Sequence, residues 1–340
     1  MTIREELELR ESKYLSQYAK LSSRSEGRKR PEDECDLRPV FQRDRDRILH
    51  CKSFRRLKQK TQVFLAPNGD HYRTRMTHTL EVAQNARTIA KALRLNEDLV
   101  EAIALGHDLG HTPFGHAGER ALNKICPDGF LHHEQSVRVV EILEKQGRGL
   151  NLTEEVIDGI RNHKTSGTPK TLEGCIVQLS DKIAYINHDI DDAIRGGILK
   201  EEDLPKEYTD IVGNSTKMRL NTMTHDVIIN SMEKSKICMS DEIKQATMGL
   251  RKFMFENVYQ NVQAKKEESK ATYMITNLYS YYMEHIELLP EHYLNIMYEQ
   301  GESKERIVCD YIAGMTDLYA IKKFQEYFRS LVRLNAGLTL

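Results

Sequence analysis

The chain has 340 residues, 30% of them charged, and its 50 Lys and Arg nearly cancel its 51 Asp and Glu. Such a length buries one large core, or one core with an appended subdomain, and the balance excludes a global field toward nucleic acid or membrane, so any attraction for an anion is local. The six cysteines (35, 51, 126, 175, 238 and 309) include no Cys-x-x-Cys pair, which excludes a zinc ribbon and a dense disulfide framework and fits free thiols in a reducing cytosol.

From Met1 the chain lacks the basic-then-apolar order of a signal peptide, and no apolar run approaches the roughly 20 residues that span a bilayer. A cytoplasmic protein is expected. Helical periodicity dominates and convincing period-two strands are missing, so the expected fold class is all-α. Residues 4–20 read as a charged helix and 22–38 as a charged loop with Gly27 and Pro31. Residues 43–60 read as a basic helical stretch, and Asn68-Gly69-Asp70 as a turn. A helix over 77–93 carries His78, Val82, Ala86, Ile89 and Leu93 on one inward stripe; the next, 97–110, carries Val100, Ile103 and His107, with Asp108 beside them. Thr112-Pro113 reads as an N-cap and first helical residue. Further helices are expected near 133–146, aligning His133 with Val137 and Val140, and over 170–194, aligning Asp181 with Val177, Ala184 and His188. After 195 the pattern stays helical but polar, with aromatic residues such as Phe253, Phe255, Tyr259, Tyr279, Tyr281 and Tyr282 suited to core or subunit contacts.

Four inward-facing residues stand out: His78, the pair His107-Asp108, and Asp181. A histidine on an apolar stripe is ordinarily a hydrogen-bonded core residue, whereas an unpaired buried carboxylate is costly and tends to acquire a cation or a proton. Spacing alone leaves both readings open, scattered core polars or a shared metal site. Two imidazoles and two carboxylates without a thiolate would suit Mn, Mg, Fe, Co, Ni or Zn, with coordination positions left for water and substrate. The run His107-Asp-Leu-Gly-His111-Thr-Pro-Phe-Gly-His116-Ala-Gly-Glu119 sharpens the second reading. It concentrates histidines and an acid beyond structural need, with His111 expected one helical turn past His107 and Pro113 turning the chain back toward the cavity.

The order His78, His107-Asp108, Asp181 resembles the HD superfamily of metal phosphohydrolases, and residues 107–119 are similar to the signature of the dGTP triphosphohydrolase (dNTPase) family. Arg43-Asp-Arg-Asp-Arg-Ile-Leu-His, Ser53-Phe-Arg-Arg-Leu, Lys60-Thr-Gln-Val-Phe, Arg73-Thr-Arg-Met-Thr-His and Ser180-Asp-Lys-Ile-Ala-Tyr, followed by Asp189, agree with it. The likeness covers roughly 38–200. His132-His133-Glu134 is similar to the cyclic-di-GMP phosphodiesterase branch, but no Gly-Tyr-Pro follows, and alarmone hydrolases lack the His111/His116 run. The resemblance implies an HD core over 38–200, preceded by an N-terminal helix and loop over 1–37 and followed by a helical region, 201–340, for core completion and oligomer contacts.

By position, it implies His78, His107, Asp108 and Asp181 as ligands of a divalent metal ion. His116, supported by Glu119, resembles the catalytic acid, His111 and Arg75 resemble α-phosphate contacts, and His133 with Glu134 resembles the supporting catalytic shell. Lys182, Tyr185 and Asp189 look like phosphate and sugar contacts, Gln62 like a contact to the 3′-hydroxyl, and Arg55 and Arg56 like functional exceptions in a basic run that otherwise reads as a solvated face. Arg73 suits a phosphate or a neighbouring carboxylate equally; His71, His132 and His163 read as ordinary polar residues, and His188 as support for the metal site. The implied activity is hydrolysis of dGTP or other dNTPs to deoxynucleoside and triphosphate, by water activated at the metal, with His116 as general acid. Rival readings are an HD nucleotidase or phosphodiesterase on another nucleotide, and a silent regulator binding nucleotide or single-stranded nucleic acid through the 43–60 run. Relatives assemble as homo-oligomers, often with allosteric nucleotides between subunits.

Overall fold

The computed structural model describes residues 1–62, 73–259 and 262–328, and among them the chain is helical, with two isolated β-bridges (Arg28–Thr153 and Thr61–Thr74) and no strand. The expected turn at Asn68-Gly69-Asp70, and His71, lie outside the described residues, as does the side chain of Tyr259. No described helix is long and apolar enough to cross a membrane.

Helix α1 is Ile3–Tyr14, shorter than the expected 4–20, because Leu15 turns extended and Ser16 N–H then donates to the Arg94 carbonyl at 2.7 Å. The basic stretch is two helices rather than one. α2 (Val40–Leu49) and α3 (Lys52–Arg56) are separated at Cys51, whose Sγ accepts from Phe54 N–H. Its arginines are not a free solvated face: Arg43 and Arg47 pair with Glu32 and Arg45 with Asp98, which ties α2 to its neighbours. α4 (Arg75–Leu93) is capped by Thr74 and buries His78, Val82, Ala86 and Ile89 as the stripe requires. α5 (Glu97–Gly106), capped by Asn96, ends a turn earlier than expected, so His107 and Asp108 sit just past its last residue.

The loop from 107 to 114 therefore carries His111, which is not on a helix. Pro113 does not open the next helix either, because Phe114 adopts a left-handed conformation (φ 63°) and α6 (Gly115–Ile125) begins after it. Thr112 is no N-cap: its hydroxyl donates to the Gly115 carbonyl. α7 (His132–Arg138) runs into a π-helical turn, Val139–Leu143, then the single turn α8 (Glu144–Gly147), where Lys145 and Gln146 are left-handed. The expected 133–146 helix is thus interrupted. α9 (Glu154–Asn162) and the 24-residue α10 (Leu172–Arg195) follow, then α11 (Lys206–Val212), α12 (Thr216–Ser231) and α13 (Asp241–Met254). α14 (Val262–Glu284), α15 (Glu291–Gln300), α16 (Lys304–Ala313) and α17 (Asp317–Tyr327) complete the described chain.

Two apolar clusters hold this together. The larger takes Ile48, Val82, Ile89, Leu99, Ile103, Ile176 and their neighbours through to α13. The second joins α6 (Ala117, Ala121, Leu122) to Ile275, Leu278, Tyr282, Ile307 and Ile312 of the C-terminal helices. Tyr282 is core and Tyr281 stacks on Tyr327, whereas Phe255 is exposed. The cysteines are not all free thiols: Cys126, just after α6, and Cys309 on α16 form a disulfide inside the second cluster, leaving Cys35, Cys51, Cys175 and Cys238. The pairing was invisible in spacing because 183 residues separate the two.

Candidate active site

α4, the end of α5 and α10 each deliver one part of the centre. His107 Nδ1–H donates to the Ala104 carbonyl at 2.6 Å, so Nε2 keeps its lone pair; Nε2 is buried with no hydrogen-bond partner. A relay fixes His78 in the same sense. Glu81 accepts from His188 Nε2–H at 2.7 Å, His188 Nδ1 then accepts from His78 Nδ1–H at 3.3 Å, and His78 Nε2 points its lone pair at Asp181 Oδ1, 3.1 Å away. Burial, opposed by Glu81, pushes the His188 ring down, so it stays the neutral acceptor that this relay needs. Asp181 Oδ1 is also 3.8 Å from His107 Nε2, and Asp108 Oδ1 is 3.4 Å from that nitrogen. The ligand atoms of His78, His107 and Asp108 lie within 4.8 Å of one another.

His78 Nε2, His107 Nε2 and Asp181 Oδ1 therefore face one another with no donor between them, beside Asp108, whose two oxygens accept from His111 and Arg75. Against the effect of burial, His111 and Arg75 hold Asp108 below the usual carboxylate range. Buried acceptors rarely go unsatisfied. A divalent cation would satisfy all four at once, and the mixed nitrogen and oxygen donor set matches octahedral first-row metals.

Beside this centre, Arg75 is fully buried, donating Nη1–H to Asp108 Oδ2 (2.9 Å) and Nη2–H to the Gln62 carbonyl (3.2 Å), with Nε unpartnered. Gly115 (φ 55°) makes room for it, since a Cβ there would lie 3.2 Å from Arg75 Nη2. His111 donates Nε2–H to Asp108 Oδ1 (3.2 Å), and its buried Nδ1 has no partner; burial and Arg75 keep the ring neutral. His116 stands half-exposed, with Nδ1–H on Glu119 Oε2 at 3.2 Å. Hydrogen bonds from His116 and His132 outweigh burial and hold Glu119 well below the carboxylate range.

The second ring on Glu119 is His132, not His133. His132 Nδ1 lies 2.8 Å from Glu119 Oε1, its ring stacks on His111 with centroids 4.0 Å apart, and Nε2 lies 3.3 Å from Nε2 of His163. Successive residues on α7 diverge by about 100°, so His133 points elsewhere, with Lys164 Nζ on its Nε2 at 2.7 Å, and Glu134 lies at the surface near Arg161. His163 donates Nδ1–H to the Ile160 carbonyl and packs on His107; burial pushes its ring down to about 3. His132 and His163 are thus not ordinary polar residues. In the sequence His132 is marked only by its adjacency to His133, and nothing marks His163.

On α10, burial together with Arg251 and Lys244 lowers the ammonium of Lys182, and among the described residues none of these three cations pairs with a carboxylate. Those two α13 residues carried no sequence signal. Tyr185 and Asp189 are hydrogen-bonded to each other, both pushed up by burial. The Gln62 side-chain oxygen is buried and unpartnered. Arg73 is held by Glu81, Asp191 and Asp192, which settles it as a carboxylate partner. Arg55 is exposed, its guanidinium donating to the His50 carbonyl, and Arg56 lines a cleft whose wall includes Leu109 and Gly110 of the 107–114 loop.

Models of two families match: the HD domain over residues 75–186 and the phosphohydrolase-associated domain over 237–326. A deoxyguanosinetriphosphate triphosphohydrolase-like protein of Caldanaerobacter subterraneus is 60% identical over 328 residues, 96% of each chain. This chain belongs to the deoxyguanosinetriphosphate triphosphohydrolase-like family of HD phosphohydrolases. A relative of the same description in Clostridium perfringens is 51% identical over 96% of this HD phosphohydrolase and 98% of its own length; one in Geobacter sulfurreducens is 39% identical. A solved phosphohydrolase from Bacteroides thetaiotaomicron shares the fold, with a TM-score of 0.53 at 18% identity over 83% of this chain and 67% of that one. The His and Asp cluster of this HD phosphohydrolase is the kind that holds a divalent metal.

Proposed function

We propose that this HD phosphohydrolase cleaves deoxynucleoside triphosphates at the α-phosphorus, releasing deoxynucleoside and intact triphosphate, with His116 as general acid. The observation that carries it is the convergence of His78, His107, Asp108 and Asp181 beside an exposed imidazole held by a carboxylate. The description of its relatives supports the substrate class. Attack at the α-phosphorus expels a 5′-alkoxide, a poor leaving group, so a placed acid matters. With Nδ1–H on ionised Glu119, the protonated His116 ring presents Nε2–H outward to that oxygen. His132 steadies Glu119 from the other side.

A divalent cation on His78, His107, Asp108 and Asp181, when bound, supplies Lewis acidity and lowers the pKa of water. Lys182, Lys244 and Arg251 offset the charge of the triphosphate. Gln62 Oε1 accepts from a sugar hydroxyl, and Tyr185 with Asp189 bounds the sugar side. His111, protonated on Nε2 toward Asp108, offers Nδ1 only as an acceptor, which suits a water better than a phosphate oxygen. Arg75 keeps one unpartnered donor, Nε.

The test is product analysis. The purified protein is incubated with each dNTP and Mn or Mg, and products are separated by ion exchange. Tripolyphosphate with deoxynucleoside is expected; orthophosphate or pyrophosphate as the primary product, or no turnover with any dNTP, refutes the reading.

A further inference from the structure

Behind the 107–114 loop lies a cleft that none of the site residues explains apart from Arg56, a residue expected from the sequence near substrate. One lobe, about 90 Å³, is lined by Lys52, Ser53 and Arg56 of α3, by Lys145, by His292, and by Leu109 and Gly110 of the loop. The adjoining lobe, about 260 Å³, shares Arg56, His292, Tyr293 and Gly314 and adds Tyr311 and Tyr319. Together they fall in the range of small-ligand pockets, roughly 300–1,000 Å³.

The charge in the cleft is unbalanced. Among the described residues no carboxylate pairs with Lys52, Arg56 or Lys145; a Cβ at Gly314 would lie 2.9 Å from the Tyr293 hydroxyl and 3.1 Å from Arg56 Nη1. Of the two acids in the wall, Asp310 is ion-paired outside the cleft, and Glu144 sets one negative charge against the three cations. Glu144 accepts from Ser53 N–H and its hydroxyl (2.8 and 2.7 Å) and from Lys52 N–H, and Asp310 from Arg138 and Arg306. Lys145 reaches the cleft from a left-handed backbone (φ 53°), a conformation that costs a non-glycine residue energy. His292 registers the balance: besides burial, Lys52 and Arg56 push its ring down against the opposing pull of Glu144.

We propose that this cleft is a second ligand site, for a phosphoryl anion, built within one chain and separate from the metal centre. Lys52, Arg56 and Lys145 supply the charge, the tyrosine-lined lobe takes the group that bears the phosphate, and the loop carrying His107, Asp108 and His111 forms one wall. Lys60 makes the contact with that loop direct, since its buried ammonium donates to the carbonyls of His111 and Ala313.

The test is calorimetric titration of the chelator-treated full chain with inorganic phosphate and, separately, with a nucleoside monophosphate. Lys52→Glu and Lys145→Glu, drawn from separate elements, are the variants, each checked by thermal melting. Saturable phosphate binding is expected, weakened roughly tenfold or more by each variant with an unchanged melting temperature. Tighter binding of the monophosphate identifies a phosphorylated organic ligand; equal binding identifies the free anion, and either supports the site. Slower amide exchange at Leu109 and Gly110 on adding phosphate places the ligand. Absence of saturable binding, undiminished binding in both variants, or protection confined to segments outside the cleft overturns the proposal.

Discussion

Glu81 touches none of His78, His107, Asp108 and Asp181, yet the affinity of the proposed metal site should depend on it. Its carboxylate accepts from His188 Nε2–H at 2.7 Å, and that bond alone determines which nitrogen of His188 is free to accept from His78 at 3.3 Å. In Glu81→Ala the proton on His188 is no longer pinned to Nε2, His78 Nδ1 loses its assured acceptor, and the His78 ring spends part of its time with a proton on Nε2. Loss of such support behind a ligand typically weakens metal binding by about 10- to 100-fold, or roughly 1.4–2.7 kcal/mol. Glu81→Gln keeps a neutral acceptor and should fall between wild type and alanine. Arg73, the other partner of Glu81, keeps Asp191 and Asp192, so the fold should hold. Competition with a chelating dye for Mn measures the affinity, and thermal melting in chelator controls for folding. An alanine variant that binds Mn within twofold of wild type would show that His78 is not oriented through His188.

Removing the acid should separate chemistry from binding: His116→Ala is expected to lower kcat by about 10²–10⁴-fold with metal content and dNTP affinity nearly unchanged, measured by steady-state kinetics and metal analysis. Lys244→Ala and Arg251→Ala should each raise KM for dNTP roughly tenfold with little change in kcat, more so at low salt; unchanged KM in both removes them from the triphosphate site. Burial pushes Glu173 up to about 7 from 4.5, so between those values the folded state holds more protons than the unfolded one and stability falls as pH rises, the penalty being complete above about 7. Glu173→Gln, still able to accept from the N–H groups of Lys20 and Asn96, should be near neutral at pH 4 and more stable than wild type by up to about 3 kcal/mol at pH 8 in denaturant melts. A difference independent of pH would rule this out.

The helical class and the inward stripe of α4 were readable because apolar residues at three- and four-residue steps can bury only one way. His78, His107 and Asp181 stood out for the same reason, each extending such a stripe, with Asp108 beside His107, and a carboxylate is costly to bury alone. What failed was local backbone geometry. α5 stops at Gly106, and the chain past it is a loop whose course depends on α7: a Cβ at Gly110 would collide with the backbone of His132, Gln135 and Ser136. His133 is buried with Val137 and Val140 as their stripe requires; its supporting role came from the resemblance, and it is His132 that lies against Glu119. Lys244, Arg251 and Glu81 act through partners distant in the chain, and no local pattern marks them.

The site loop is also braced by a late part of the chain. Asp317 accepts from Phe114 N–H at 3.0 Å, 203 residues away in sequence, and from Thr61 N–H and its hydroxyl, while Lys60 ties His111 to Ala313. During synthesis the histidine-bearing loop would emerge well before its clamp, so a ribosome-bound chain would hold its HD residues without the geometry that makes them useful. Competence would arrive only as α16 and α17 dock.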